Sequence, residues 1–154
     1  MPDLSFSLTV PASAMLLAAL LVSADVRAEL GGTMSTEPGA SAAAPQILLN
    51  GALRMRMRVD AGNTTITEYA TSTGEIIAYT WQGPTMPDMN ALLGKYAASY
   101  RAGAAASPAT GNLHASRVVR PDVIVESGGP MRGYAGRAWL PAAVPSGVTS
   151  ADFR

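Results

Sequence analysis

The sequence predicts an α+β fold: a three-stranded antiparallel β meander with one amphipathic helix packed on it, followed by two or three further antiparallel strands. Three observations predict it. Arg54-Met55-Arg56-Met57-Arg58-Val59 alternates strictly between charged and apolar side chains, the period-two pattern of a strand with one wet and one buried face. Two more strand-like segments follow after short Gly- and Asn-containing turns. Then Met89, Leu92, Leu93, Tyr96, Ala97 and Tyr100 recur at helical spacing, which places them on one stripe.

The elements follow in order. The first strand opens near Ala52. Ala61-Gly62-Asn63 turns the chain into Thr64–Thr71, rich in the strand formers Thr, Ile and Tyr. Ser72-Thr73-Gly74 turns it again into Glu75–Gln82, with Ile77, Tyr79 and Trp81 on one face. Turns this short make the three strands antiparallel neighbours. Gly83-Pro84 ends the sheet segment. Thr85 and Asp88 stand at capping-box spacing, so the helix is expected to start there and to close at Gly103. Residues 102–116 are Ala-, Gly- and Ser-rich and read as a loop. Arg117–Arg120, Val123–Glu126 and Met131–Leu140 read as the later strands, divided by Pro121-Asp122 and Ser127-Gly128-Gly129-Pro130.

The N-terminus carries an address. Ala14–Ala24 is an apolar stretch of 11 residues, the length of a signal-peptide core and too short to span a bilayer. Val26-Arg27-Ala28 follows with small side chains where signal peptidase requires them, so a cut between Ala28 and Glu29 is expected. Met1–Ser13 departs from the usual basic start, with Asp3 as its one charge. The division that results is a signal-peptide helix over 1–28, a flexible low-complexity leader over 29–45 and an α+β domain over 46–154. The expected location is periplasmic or secreted, with no membrane span once the signal is removed.

Composition narrows the function. From Glu29 onward ten basic residues face nine acidic ones, a balance that offers no electrostatic case for nucleic acid. There are no cysteines, which excludes disulfides, thiol catalysis and zinc–thiolate sites. No cofactor is expected. His114, the one histidine, sits in a small-residue loop with no nearby carboxylate to orient it, as a catalytic triad would need. Among the carboxylates, Glu68 and Glu126 are the pair that could meet on a sheet face, as glycoside hydrolysis demands; solvated strand positions are the plainer account of both. Gly128-Gly129 lacks the Lys-Ser/Thr of a phosphate loop.

Two residue sets keep some interest. Arg54, Arg56 and Arg58 share a strand face, and Arg117, Arg120, Arg132 and Arg137 fall on later strands. Adjacent, they would make an anion-binding face, chiefly Arg54, Arg56, Arg58, Arg132 and Arg137. Cross-strand pairing with Glu68 and Glu75 is the plainer alternative. Tyr69, Tyr79, Trp81, Tyr134 and Trp139 are the large aromatics of the sheet, with Trp81 and Trp139 as its expected anchors.

Two segments carry a resemblance. Trp81-Gln82-Gly83-Pro84-Thr85-Met86-Pro87-Asp88 runs into Leu92-Leu93-Gly94-Lys95-Tyr96, and Ser127-Gly128-Gly129-Pro130-Met131-Arg132 runs into Gly136-Arg137-Ala138-Trp139-Leu140-Pro141 and Pro145-Ser146-Gly147-Val148-Thr149. With Leu30-Gly31-Gly32 just past the expected cut, they resemble the small exported Gram-negative proteins called domain of unknown function 2844. The resemblance implies export and one domain, and transfers no activity. The expected function is a non-catalytic structural or binding protein of the periplasm or envelope, with an unidentified partner there. One alternative is a peptide-binding inhibitor or chaperone-like module using a sheet edge such as Arg54–Arg58. A second is an envelope glycan hydrolase with paired carboxylates.

Overall fold

Strict alternation in the first long strand decides which residues share a face, and the register carries that choice across the whole sheet. A computed structural model describes residues 28–36, 42–107, 115–129 and 133–154. The expected signal-peptide helix, His114 and Arg132 lie outside the described residues. The strands are β1 (Gln46–Leu48), β2 (Leu53–Val59), β3 (Thr65–Thr71), β4 (Ile76–Gly83), β5 (Ala115–Val119), β6 (Ile124–Gly128) and β7 (Tyr134–Trp139). They form one seven-stranded sheet in the order β1-β2-β3-β4-β7-β6-β5, and every neighbouring pair is antiparallel. The fold is therefore α+β. It has more strands than the five or six expected, because β1 is too short to show a period.

The predicted meander is β2-β3-β4. Its first turn is built by Asp60, whose Oδ1 accepts from the backbone N–H of Gly62 and of Thr64, both at 2.9 Å, with Asn63 at φ 60°. The second strand group folds as its own meander and returns β7 against β4: Ala78 pairs with Trp139, Thr80 with Arg137 and Gln82 with Ala135.

The helix is broken. α1 (Met89–Leu93) and α2 (Ala97–Ala106) are joined by a single 3-10 turn at Gly94–Tyr96, where Gly94 takes φ 51°. Asp88 alone caps α1, accepting from the N–H of Asn90 at 2.9 Å and of Ala91 at 3.2 Å. The expected capping box with Thr85 does not form. Thr85 instead ties the chain back to the β2–β3 turn: its carbonyl accepts from Thr64 Oγ1 at 2.6 Å and its hydroxyl donates to Gly62 at 3.0 Å. Nor does Gly103 end the helix. It lies inside α2, where a Cβ would stand 2.5 Å from Val118 Cγ1. Glycine here lets α2 sit directly on β5.

Both faces of the sheet are covered at the centre. On the helical face, Leu30, Met34, Ile66, Tyr79, Trp81, Leu92, Leu93, Val125 and Leu140 form one core. On the other, Leu53, Tyr69, Ile77, Ala78 and Trp139 pack beneath Val148 and Phe153 of the C-terminal tail. Ile77 thus faces away from Tyr79 and Trp81, contrary to simple alternation. The register shifts between Tyr69 and Ala70, so that Tyr69 meets Ala78 and Ala70 meets Ile76. A bulge of this kind puts two successive side chains on one side. Trp81 and Trp139 accordingly anchor opposite cores.

The segment read as a leader over 29–45, with structure starting near Gln46, enters the fold much earlier. Leu30 is fully buried. Its N–H donates to Leu92 O at 2.9 Å, that of Gly31 to Ile76 O at 2.8 Å, and that of Ile76 to Gly32 O at 2.8 Å. Low complexity hid this, because the docking uses backbone groups and two scattered apolar side chains, Leu30 and Met34.

Gly136 must be small: a Cβ there would stand 2.3 Å from Trp81 Cζ2 and 2.5 Å from the carbonyl of Glu126. Gly136→Val is expected to lower stability by about 1–3 kcal/mol. Trp139→Ala, which opens the tail-side core, should lower it by about 3–5 kcal/mol. Thermal and urea melts against the unaltered protein check both; an unchanged midpoint for Trp139→Ala would refute its place in the core.

Candidate functional site

Register places two rows of charged residues on opposite faces. On the helical face, Arg56 pairs with Glu68, Glu68 with Tyr79, Tyr79 with Ala138 and Ala138 with Val125. On the tail face, Met57 pairs with Thr67, Thr67 with Thr80, Thr80 with Arg137, Arg137 with Glu126 and Glu126 with Arg117. The arginines read as a common anion face are thereby divided. Arg54, Arg56 and Arg58 point to the helical face, and Arg137 and Arg117 to the other. Arg120 follows β5 in a turn.

The helical-face cluster is internal. Glu68 is 1% exposed and Arg56 5%. Arg56 donates to Glu68 Oε2 from Nε at 3.0 Å and from Nη2 at 2.7 Å, and from Nη1 to Ser35 O at 2.8 Å. Arg58 Nε donates to Glu68 Oε1 at 3.1 Å. Burial pushes the Tyr79 phenol far above its usual range, with the Glu68 carboxylate adding to it, so it stays a hydrogen donor, and it donates to Ala28 O. In the second half of β2 the wet and buried faces are thus exchanged relative to the sequence pattern: Arg56 is covered, while Met57 and Val59 are 44% and 45% exposed; at its start Leu53 and Met55 pack in the tail-side core as alternation predicts. Residues 33–36 cover Arg56, and Glu68 supplies the charge that makes covering it possible.

Ala28 and Glu29, the expected cleavage residues, stand where the chain enters the fold. Ala28 is half-buried and packs on the helical-face core. The Glu29 side chain lies against Gly94, where a Cβ would come within 2.0 Å of its Oε2.

The tail face carries the candidate site, a groove of about 960 Å³. Its long wall is the charged row. Arg137 Nε donates to Glu126 Oε2 at 2.7 Å and Nη1 to Ser150 O at 2.6 Å. The guanidinium lies 5.2 Å from the centre of the Trp139 ring. Arg117 Nε meets the second oxygen, Glu126 Oε1, at 3.0 Å. Arg154 lines the tail side. The floor is the Thr67–Thr80 end of that row together with the next row, Thr65, Gln82, Ala135, Gly128 and Ala115. Small side chains on β7, β6 and β5 leave the depression. Residues 149–152 lie beside it, held by a capping box between Thr149 and Asp152. The Thr149 backbone N–H, and then its hydroxyl, hold the Asp152 carboxyl below the usual carboxylate range.

Glu68 and Glu126, the pair considered for hydrolysis, point to opposite faces and share no cleft. Glu126 is the one carboxylate side chain lining the groove, and among the described residues no group of three His, Cys, Asp or Glu gathers to hold a metal. Sequence reading missed Thr65, Thr67, Thr80, Gln82 and Arg154 as lining residues. The spacing Thr65-x-Thr67 signals a shared face, but the β4–β7 pairing that adds Arg137 is not visible locally. The Arg54–Arg58 strand is also no edge. β1 pairs with it at one end, and Ala43 N–H donates to Met57 O at 2.8 Å at the other. Among the described residues the outer strands of the sheet are β1 and β5, and β5 is the longer.

The fold and groove define an α+β protein built on a single antiparallel sheet, covered on one face by a helix and an N-terminal segment and on the other by its own tail. The chain belongs to the family described as protein of unknown function (DUF2844), which matches residues 26–153. No curated protein matches the chain, and no solved structure does.

Removing Glu68 leaves two guanidiniums without a counter-charge, one of them buried. Glu68→Ala is expected to cost about 3–5 kcal/mol, and the double change Arg56→Met with Glu68→Leu to recover most of that. Urea unfolding of the three proteins checks it. Because the Asp152 pKa is lowered in the fold, its contribution is present above the ordinary carboxylate pKa and lost as pH falls through the folded value. Tail resonances in a two-dimensional NMR titration should therefore broaden with acid before those of β3 and β4 do.

Proposed function

We propose that this is an exported, non-catalytic binding protein of the periplasm or cell envelope, and that its ligand surface is the tail-face groove. The groove carries the reading. The sheet is covered on the helical face, while the tail face keeps a groove lined by polar side chains from five strands. The lining favours binding over catalysis. Among the described residues it offers Glu126 as a single carboxylate side chain, already bonded through both oxygens. Hydrolysis of a glycoside takes two carboxylates across one cleft.

Export rests on the apolar core at Ala14–Ala24 and the Val26-Arg27-Ala28 pattern. Among the described residues no helix is long and apolar enough to cross a membrane, in keeping with a chain freed once its signal is removed. The near balance of charge leaves nucleic acid without an electrostatic argument.

The outer strand β5 favours a second reading, in which a peptide adds a strand beside Ala115–Val119. Val119 is 59% exposed there. A peptide bound in this way would protect the β5 amides from hydrogen exchange.

Fractionation with mass spectrometry of the mature N-terminus tests export. The expected product starts at Glu29 and is found in the periplasm or the medium. A chain that starts at Met1 and stays in the cytoplasm would overturn the proposal.

A further inference from the structure

From the composition of the groove we infer that its ligand is an acidic saccharide, bound through its carboxylate or phosphate groups. The inference rests on the reading of the groove as a binding surface and names what it binds.

Charge comes first. Arg117, Arg137 and Arg154 line the groove against a single carboxylate side chain, Glu126. Each oxygen of Glu126 accepts from one Nε, of Arg137 at 2.7 Å and of Arg117 at 3.0 Å. Glu126 therefore fixes two guanidiniums side by side and leaves them donors to spare. Arg117 has its side chain 63% exposed, which makes it the most available of these. Paired guanidiniums with spare N–H groups are the geometry that recognises carboxylate or phosphate.

The neutral part of the lining fits a hydroxyl-rich ligand. Thr65 pairs with Gln82 across β3 and β4, and Thr67 with Thr80. All four lie on the floor of the groove, and their side chains make no hydrogen bond to another described residue. They form a lattice of donors and acceptors spaced by the strand separation, about 5 Å. An apolar peptide side chain would waste these groups; sugar hydroxyls use them. The one aromatic among the described lining residues is Trp81, and its side chain packs on the other face of the sheet. Trp139 is 6% exposed, with the Arg137 guanidinium above it. A neutral sugar, which depends on stacking, is poorly served, so affinity here has to come from charge.

The test uses the mature protein, isotope-labelled, in NMR titrations with four probes. These are a short oligogalacturonate, its methyl ester, a phosphorylated oligosaccharide and a poly-glutamate peptide of equal charge. The expected result is binding of the oligogalacturonate or the phosphosaccharide, with shifts confined to Thr67, Thr80, Gln82, Arg117, Glu126 and Arg137. Which of the two binds distinguishes carboxylate from phosphate. Binding should weaken about tenfold for the methyl ester and for Arg117→Ala, the loss of one charge-assisted contact, and should fall with added salt. Arg117 is exposed, so its removal should leave the melting midpoint unchanged; Thr80→Val is a second variant that removes a floor hydroxyl at constant volume. Equal binding of the methyl ester would overturn the inference, and so would tighter binding of poly-glutamate, or no shift with any probe. Each of those results leaves the exported binding protein standing, since that reading fails separately, by cytoplasmic fractionation.

Discussion

A buried carboxylate organises one face of this protein. Glu68 is sealed inside with Arg56, and burying either without the other would cost several kcal/mol. Glu68 finds its partners within the meander, in Arg56 and Arg58, but Arg56 has a further donor to place. Arg56 needs the carbonyl of Ser35, and the neighbouring Tyr79 hydroxyl donates to Ala28. The polar centre of the sheet is therefore completed by the N-terminal segment. The Ser35 contact ties 29–36 to the sheet, with Leu30 hydrogen-bonded to α1 and the Glu29 side chain against Gly94.

The arrangement also decides what remains for function. Arg56 and Arg58 are spent on Glu68, so the arginines facing solvent as a group are those of the opposite face. There the same chemistry is set out differently. Glu126 joins Arg137 and Arg117 at partial exposure, where an ion pair contributes little to stability and its spare donors face a groove. One pattern, a glutamate between two arginines, serves packing on one side of the sheet and an open surface on the other. Burial is what distinguishes the two.

Much of the fold was legible in the sequence. The meander, its turns and the apolar helix stripe are all local, and local periodicity records them. The errors share a cause as well. Alternation in β2 was visible, but not which face would be covered, because the cover comes from a distant low-complexity segment. Thr85 and Gly103 were read as helix signals, whereas both are set by contacts with Thr64 and Val118. The bulge at Ile77 was silent because apolar residues stand on both sides of it. Of the candidate site, Arg137 was singled out, and Arg117 and Glu126 were noted apart. Their union with Thr67 and Thr80 depends on β7 returning to β4.

By itself the sequence determined most of the elements, the absence of cysteine and the family resemblance that the match over 26–153 bears out. Each is written in composition or in neighbours a few residues apart. Only the tertiary structure decided which arginines are buried, which two carboxylates are kept apart and where a groove remains. Those outcomes depend on strand order and register, and therefore on pairings such as Thr80 with Arg137, which no local pattern encodes.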